Sequence, residues 1–213
     1  MRNYQLMLEE IINENQAKGV RPKLLLQACC APCSSYPIEY LSQYFDITLY
    51  FYNPNISSIR EYNKRKAELI RFVQEFPPAK GIQVIDAKYT PQDFFIVAMG
   101  LENEPEKGAR CYECYNLRLD QTAKYAYLSP EKYDYFGTTL SISPHKDSDW
   151  INEIGEAVSK EYNIPFLYAD FKKKNGYIRS IELSKEYNLY RQDFCGCMHS
   201  QKEKIDNSGK EWG

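Results

Sequence analysis

Seven cysteines in three short groups constrain what this 213-residue chain can fold into and do more than any other feature. The groups are Cys29-Cys30-Ala31-Pro32-Cys33, Cys111-Tyr112-Glu113-Cys114 and Cys195-Gly196-Cys197, and no cysteine lies outside them. A cysteine that only packs in a core behaves as a small hydrophobe and needs no cysteine neighbour. Thiols spaced by one to three residues are typical of metal ligands and redox pairs. The spacing therefore predicts a metal site, a redox site or both.

The charge balance limits the partners of the chain. With 27 basic and 29 acidic side chains its net charge is −2, so RNA binding would need a local basic patch. No apolar run approaches the ~18 residues of a membrane span. The first fourteen residues have the pattern of an amphipathic helix and lack the apolar core of a secretory signal. We expect a cytoplasmic protein without membrane contact, in a reducing compartment where clustered thiols more often bind metal than form structural disulfides.

Apolar runs alternate with helical patterns along the chain. The predicted strands are 23–28, 47–52, 82–86, 133–139 and 165–168, and the predicted helices are 34–44, 57–76, 111–127 and 147–162. Continuous apolar runs suit strands that are buried on both faces. The alternation predicts an α/β fold, a doubly wound, mostly parallel sheet with helices on both faces, Rossmann-like and nucleotide-hydrolase-like. We assign residues 1–200 to a single metal-binding catalytic domain and 201–213 to a polar C-terminal tail, which we expect to be frayed.

The first two cysteine groups are placed to meet in such a fold. Sites in doubly wound sheets lie at the carboxyl ends of strands, and the first group directly follows the first predicted strand. Cys111 and Cys114 are three residues apart at a helix start, so both sulfurs share one helix face. The helix dipole and Arg110 are expected to favour thiolates there. Together the groups supply enough sulfur for a Cys₄ iron–sulfur cluster or a Cys₄ zinc site.

The third group, Cys195-Gly196-Cys197, is open to two interpretations. A disulfide across one residue closes a small strained ring, which is easily reduced and suits a redox pair. Two thiols at this spacing can equally bind a metal without any disulfide. Both interpretations stay open at this point.

Longer segments containing all three groups resemble a known family. They are Leu24–Ser34, Asn53–Ile56 with Glu61, Tyr62, Arg65 and Lys66, Gly108–Leu119, Thr138–Pro144 and Tyr190–Cys197. These segments are similar to the cobalamin-independent epoxyqueuosine reductases, the QueH family, over a stretch from about Leu24 to Ser200. One departure is Gln27, where many relatives carry a histidine before the cysteine pair.

The resemblance implies reduction of the epoxide of epoxyqueuosine to queuosine, at the wobble position of tRNA, with electrons from an unidentified donor. It implies that Cys29, Cys30, Cys111 and Cys114 bind a [4Fe–4S] cluster. Adjacent residues of a regular strand point to opposite faces, so we expect Cys29 and Cys30 to lie in an irregular turn, and Cys33 is the alternative to one of them as a ligand. It further implies a redox-active pair, Cys195 and Cys197. Iron–sulfur clusters reach potentials that side chains alone cannot supply.

Four cluster ligands leave three thiols over, those of Cys33, Cys195 and Cys197. Three thiolates with one carboxylate or water complete a tetrahedral site, so we predict a second, single iron beside the cluster, with zinc as the competing occupant. A disulfide between Cys195 and Cys197 is the alternative, and it leaves Cys33 without a role.

The remaining candidate residues concern protons and RNA. Asp193 is the candidate proton donor in the predicted catalytic set, and other candidates are Tyr115, His145, Asp147 and Asp149. His199 has the position of a solvated histidine. Two basic stretches are candidates for RNA contact, residues 60–71 and a second set, which we favour because it follows a strand end. That second set is Lys172, Lys173, Lys174 and Arg179.

Two other functions are compatible with parts of the pattern. A tRNA sulfur transferase of the ATP-pyrophosphatase type also combines this kind of sheet with thiols. It needs a Gly/Ser-rich phosphate loop after the first strand, where this chain has Cys-Cys-Ala-Pro-Cys-Ser. A non-catalytic zinc-dependent RNA-binding module would contain one zinc and no iron or sulfide.

Overall fold

The first apolar run forms an inner strand of the sheet. In the computed structural model, which describes residues 2–208, the strands are β1 (Lys23–Gln27), β2 (Asp46–Phe51), β3 (Gln83–Asp86) and β4 (Tyr135–Thr138). All pairings are parallel, in the order β3-β2-β1-β4. Strands β2 and β3 lie on one side of β1, and β4 lies on the other. The carboxyl ends of β1 and β4 therefore meet at the switch point of the strand order, where ligands bind in such sheets.

Helices cover both faces of this sheet. The α-helices in the described part are α1 (Tyr4–Ala17), α2 (Ala31–Leu41), α3 (Ile59–Glu75), α4 (Pro91–Ala98), α5 (Ala109–Leu128), α6 (Ser148–Tyr162), α7 (Gly176–Glu186) and α8 (Met198–Ser208). None of these helices is long and apolar enough to span a membrane. The predicted doubly wound α/β fold is confirmed.

Alternate side chains of β1 enter two separate cores. Leu24 and Leu26 pack with residues of α1, α2, α3 and α7, while Leu25 packs with residues of α5 and α6 on the opposite face. All three leucines are fully buried. A continuous apolar run is therefore needed at β1 because both of its faces are covered.

Several predicted boundaries change in the structure. Helix α2 begins at Ala31 rather than at residue 34, which puts Cys33 in its first turn. The predicted strand at 165–168 is wrong, since this run contributes only an isolated bridge between Phe136 and Phe166. The backbone that follows this run is held by a side chain. The Asn152 amide donates to the Ala169 carbonyl and accepts from the Ala169 backbone N–H, both at 3.0 Å. Helices α4 and α7 were not predicted.

The carboxyl end of the chain also differs from expectation. The prediction of a frayed tail is wrong for residues 201–208, which continue α8, and residues 209–213 lie outside the described part. Glu203 in this helix accepts hydrogen bonds from Arg110 at 3.1 Å and from the Glu106 backbone N–H at 3.1 Å. The division into a domain at 1–200 and a tail stays a prediction.

Replacing Leu25 by alanine tests the importance of β1. We expect Leu25→Ala to lower the free energy of unfolding by roughly 2–5 kcal/mol, because a fully buried side chain leaves a cavity between β1 and α5. Urea unfolding measures the change. The control Leu128→Ala removes a side chain that is 67% exposed, so it should change the stability by only about 0.5 kcal/mol or less. Equal losses in the two variants would contradict the prediction.

Candidate metal centre

The first cysteine group converges just beyond β1. The strand ends at Gln27, so Cys29 and Cys30 lie in an irregular turn and their sulfurs come within 3.7 Å of each other. Cys33, in the first turn of α2, completes a set of three Sγ atoms that all lie within 4.8 Å of one another. Adjacent cysteines in a regular strand would point to opposite faces. The expected irregular turn is therefore confirmed, and it creates a compact group of three thiols.

The other four cysteines surround a small cavity beside this group. Cys111 and Cys114 project from the first turns of α5, on one face as predicted, and Cys195 and Cys197 approach from the segment before α8. The cavity measures about 20 Å³. All seven cysteines are free. The thiols thus group as three and four, and the predicted division into Cys29, Cys30, Cys111 and Cys114 against Cys33, Cys195 and Cys197 stays a prediction.

The loop Cys195-Gly196-Cys197 is fixed by contacts with a distant segment. Ser57 donates its backbone N–H to the Gly196 carbonyl at 3.1 Å, and its hydroxyl accepts from the Met198 backbone N–H at 2.8 Å. Arg65 donates to the Cys195 carbonyl at 3.0 Å. Gly196 has φ of +116°, which a residue with a Cβ adopts only with strain. The loop therefore has one defined position over the small cavity.

A second, larger cavity opens next to the first group. It has a volume of about 200 Å³, and Cys29, Cys33 and Cys195 contribute their thiols to its wall. Asn55, Glu106 and Cys195 line both cavities. We call the larger one the main cavity. Cys195 thus stands between the two groups of thiols.

Burial sets the ionisation of most of these thiols. It raises the pKa of Cys114 to about 12 and that of Cys197 to about 11, and it also raises the pKa of Cys111. The expectation that the helix start favours thiolate at Cys111 and Cys114 is wrong for the metal-free protein, because the loss of hydration outweighs the helix dipole. The charge of Arg110 lowers the pKa of Cys111, but by less than burial raises it, and its guanidinium is hydrogen-bonded to the carbonyl groups before α5 and to Glu203.

One thiol of the first cysteine group has a lowered pKa rather than a raised one. Hydrogen bonds from Cys30 and Cys33 lower the pKa of Cys29 well below its ordinary value. The same interaction raises the pKa of Cys30 to about 12 and that of Cys33 well above its ordinary value. Gln192 adds a hydrogen bond from Nε2 to the Cys30 sulfur at 2.9 Å. Cys29 is therefore the thiol of this group that ionises most readily, and the thiolate is the form that binds soft metals.

Unsatisfied polar atoms are concentrated at these cavities. Among the described side chains, four buried nitrogen or oxygen atoms have no hydrogen-bond partner, and they belong to Asn55, Arg110, Arg118 and Gln192. Each of these residues lines one of the two cavities or both. Buried polar atoms are almost always paired in folded proteins. Their clustering here, together with a thiol-rich donor set, fits a site that holds a metal group and a polar ligand.

Comparison with known proteins agrees with this geometry. The family model described as "Epoxyqueuosine reductase QueH" matches residues 24–203, which include all three cysteine groups. Proteins of the same name from Streptococcus pyogenes and Staphylococcus epidermidis are 44% and 45% identical to the chain. The first alignment covers 94% of this chain and 78% of the relative, and the second covers 96% and 87%. A relative of that name from Thermotoga maritima is 30% identical over 85% of this chain and 91% of its own length.

This chain belongs to the epoxyqueuosine reductase QueH family. The predicted resemblance is therefore confirmed, and the matched region extends from β1 into α8. Gln27 has a structural role at the end of β1. Its fully buried amide donates to the Tyr52 carbonyl at 3.0 Å and accepts from the Thr138 hydroxyl at 2.8 Å, so it joins the ends of β2 and β4.

Three of the five candidate proton donors line one of the two cavities, and two do not. Asp193 and His145 line the main cavity and are exposed, and Asp193 forms an ion pair with Lys204. Tyr115 lines the small cavity, and its burial raises its pKa. The remaining two candidates line neither cavity. Asp147 caps the start of α6 and Asp149 follows it in the first turn of that helix.

Lys146 is a site residue that sequence reasoning missed. It lines the main cavity, is half-buried, and makes no salt bridge with any carboxylate among residues 2–206. Burial lowers its pKa, but the negative charge of Cys195, Cys29 and Cys33 outweighs this effect and raises it. The available signal was its position shortly after β4, at the carboxyl edge where sites of such sheets lie.

The favoured basic set is largely engaged within the protein. Lys172 pairs with Asp170 at 2.9 Å, Arg179 pairs with Glu39 at 2.7 Å, and Lys174 pairs with Glu9. Lys173 is exposed and makes no salt bridge among the described residues. The assignment of this set to RNA binding stays a prediction.

Two glycine substitutions separate backbone strain from the position of the loop. A Cβ at Gly196 would lie 3.0 Å from the Ile56 side chain and 3.1 Å from Arg65, whereas a Cβ at Gly100, which also has a positive φ, meets nothing within 4 Å. We expect Gly196→Ala and Gly100→Ala each to cost about 1 kcal/mol of stability from strain.

Only Gly196→Ala should also displace the loop and expose Cys197. In the metal-free protein, labelling of Cys197 by a thiol reagent, followed by mass spectrometry, is expected to become several-fold faster in Gly196→Ala. It should stay at the original rate in Gly100→Ala. Equal labelling rates in the two variants would show that the loop position does not depend on Gly196.

Proposed function

We propose that this chain reduces the epoxide of epoxyqueuosine to queuosine at the wobble position of tRNA, in the cytoplasm, through a [4Fe–4S] cluster. The observation that carries the proposal is the gathering of seven thiols around two adjoining cavities at the carboxyl end of β1 and β4. Membership of the QueH family supports the same reaction. The reaction breaks two C–O bonds, takes up two electrons and two protons, and releases one water with formation of a C=C bond.

The seven thiols would hold the metal groups. We assign Cys29, Cys30, Cys111 and Cys114 to the cluster, and Cys33, Cys195 and Cys197 to a single iron, for which zinc is the competing occupant. The thiol donor set suits both iron–sulfur clusters and tetrahedral iron or zinc. When bound, such a cluster supplies electrons at low potential. A disulfide between Cys195 and Cys197 remains the alternative role for that pair.

The main cavity is proposed to receive the modified base. An enzyme that acts on a base must take it out of the stack, and an anticodon loop makes this inexpensive. The free amide oxygens of Asn55 and Gln192 can accept hydrogen bonds from N–H groups of that base. The ammonium group of Lys146 stabilises negative charge that develops on the epoxide oxygen. Asp193, whose carboxyl group lines the cavity, is assigned to proton delivery.

Analysis of nucleosides tests the proposed reaction directly. The anaerobically loaded protein, given a chemical reductant and tRNA that contains epoxyqueuosine, is expected to yield queuosine after digestion and mass spectrometry. Conversion should occur without ATP, which a sulfur transferase of the ATP-pyrophosphatase type would require. Loaded protein that leaves the epoxide unchanged would contradict the proposal.

Metal analysis of cysteine variants tests the cluster. Protein purified without oxygen is expected to contain iron and acid-labile sulfide, and Cys111→Ser should lose most of both because it removes one of four cluster ligands. The control Glu113→Gln changes the same helical turn without removing a thiol and should keep the full content. Full iron and sulfide in Cys111→Ser would rule out the assignment. One zinc per chain without sulfide would favour the RNA-binding zinc module.

The same measurement decides the role of the third cysteine group. A fifth iron that is present in the original protein and absent in Cys197→Ser supports the second metal. Four irons in both proteins leave the disulfide as the better account.

Charge reversal tests the proposed RNA surface at Lys172, Lys173, Lys174 and Arg179. We expect the triple change of the three lysines to glutamate to weaken binding of an anticodon stem-loop. The slope of log affinity against log salt should fall by about one for each lost phosphate contact. The control Lys18→Glu reverses an exposed charge shortly before β1, at the opposite edge of the sheet, and should bind RNA normally. Unchanged affinity in the triple variant would exclude this surface.

A further inference from the structure

Arg118 is a buried cation without an acidic partner. Its side chain lies in α5 one turn after Cys114 and is only 1% exposed. One guanidinium nitrogen, Nη2, donates to the Asn53 amide oxygen at 2.6 Å, and Nε has no partner. No carboxylate of the described residues forms a salt bridge with it. A buried charge in this condition costs several kcal/mol unless another charge compensates it.

The other deeply buried arginines of the described chain are compensated in the ordinary way. Arg110, about two turns earlier in α5 and also 1% exposed, pairs with Glu203 at 3.1 Å and donates to backbone carbonyl groups. Arg65, which is 3% exposed, pairs with Glu61 at 2.7 Å and donates to two carbonyl groups. The missing acid at Arg118 is thus a property of that position and not of buried arginines in this fold.

The groups that face Arg118 are thiols. Its side chain lines the main cavity together with Cys29 and Cys195, and Cys114 lies one turn before it on the same helix. Sulfur charge is therefore the available compensation for this guanidinium, and it comes from both sides of the divided thiol set.

We propose that Arg118 is the counter-charge of the metal-bound sulfur centre, a positioning residue that stabilises the centre and makes its reduction easier. The inference rests on the proposed metal occupancy of these thiols. A centre held by several thiolates carries negative charge, and each added electron increases that charge. A fixed positive charge at close range, shielded from water, favours both changes. Lys146 also lines the main cavity, but it is only half-buried, so water weakens its effect more than that of the fully buried Arg118.

The comparison of Arg118→Met with Arg110→Met tests this role. Both variants remove a buried guanidinium from α5, but the charge of Arg110 is already paired with Glu203, whereas Arg118 has no acidic partner among the described residues. We expect loading with iron and sulfide to raise the melting temperature of Arg118→Met less than that of the original protein. Release of iron to a chelator should be about 10- to 100-fold faster in this variant. Arg110→Met is expected to lower the melting temperature of both forms and to retain most of the increase on loading.

The reduction potential of the loaded centre provides an independent measurement. A spectroscopic redox titration should show a shift to more negative potential in Arg118→Met and a clearly smaller shift in Arg110→Met, whose charge is paired with Glu203. Arg118→Lys, which keeps the charge and loses the planar group, is expected to restore most of the original potential. Arg118→Gln, which keeps a polar group and loses the charge, repeats the comparison if the methionine variant does not fold.

The outcomes separate this inference from the proposed function. An unchanged potential and an unchanged temperature increase in both Arg118→Met and Arg118→Gln would overturn the role of Arg118 while leaving the metal centre in place. Failure of the original protein to take up iron or another metal would overturn the metal centre and the inference with it.

Discussion

A single side-chain amide joins the elements that carry the thiols. Asn53, just after β2, donates Nδ2 to the Ala28 carbonyl at 2.9 Å and accepts from Arg118 at 2.6 Å. Because both ends of this buried amide are used, it fixes the end of β1 against α5. Cys29 directly follows Ala28, and Cys114 precedes Arg118 by one turn. The relative position of the two sulfur groups is therefore set by a polar link as well as by apolar packing.

The sequence predicts the scaffold well because the scaffold is local in origin. The run Leu24 to Leu26 needs two covered faces, and this need alone indicates a parallel sheet with helices on both sides. The position of the first cysteine group follows from the general rule for sites in such sheets. The run at 165–168 has similar composition, yet the amide of Asn152 takes the backbone of Ala169 and the run adds one bridge only. Asn152 lies 17 residues before Ala169, so its competition for this backbone is not visible in the local sequence pattern.

Electrostatics at the site could not be predicted from the sequence, because it depends on which partners the fold brings near or leaves out. Lys174 and Arg179 form part of a basic run in the sequence, but Glu9 and Glu39 neutralise them from the distant α1 and α2. Arg118 is the reverse case, because the fold brings no carboxylate of the described residues into a salt bridge with it. The helix start does not favour thiolate at Cys114, because desolvation is the larger effect and raises the pKa of this thiol.

The anchoring of the third cysteine group has a consequence for the dynamics of the protein. Ser57 and Arg65 hold the loop around Gly196, and the contacts span more than one hundred positions of sequence. Local opening of a protein occurs in cooperative units that share hydrogen bonds. We therefore expect the segment after β2 and the loop before α8 to form one such unit, which opens and closes as a whole. Exchange of their amide hydrogens should then report a single opening event, although the two segments are far apart in the sequence.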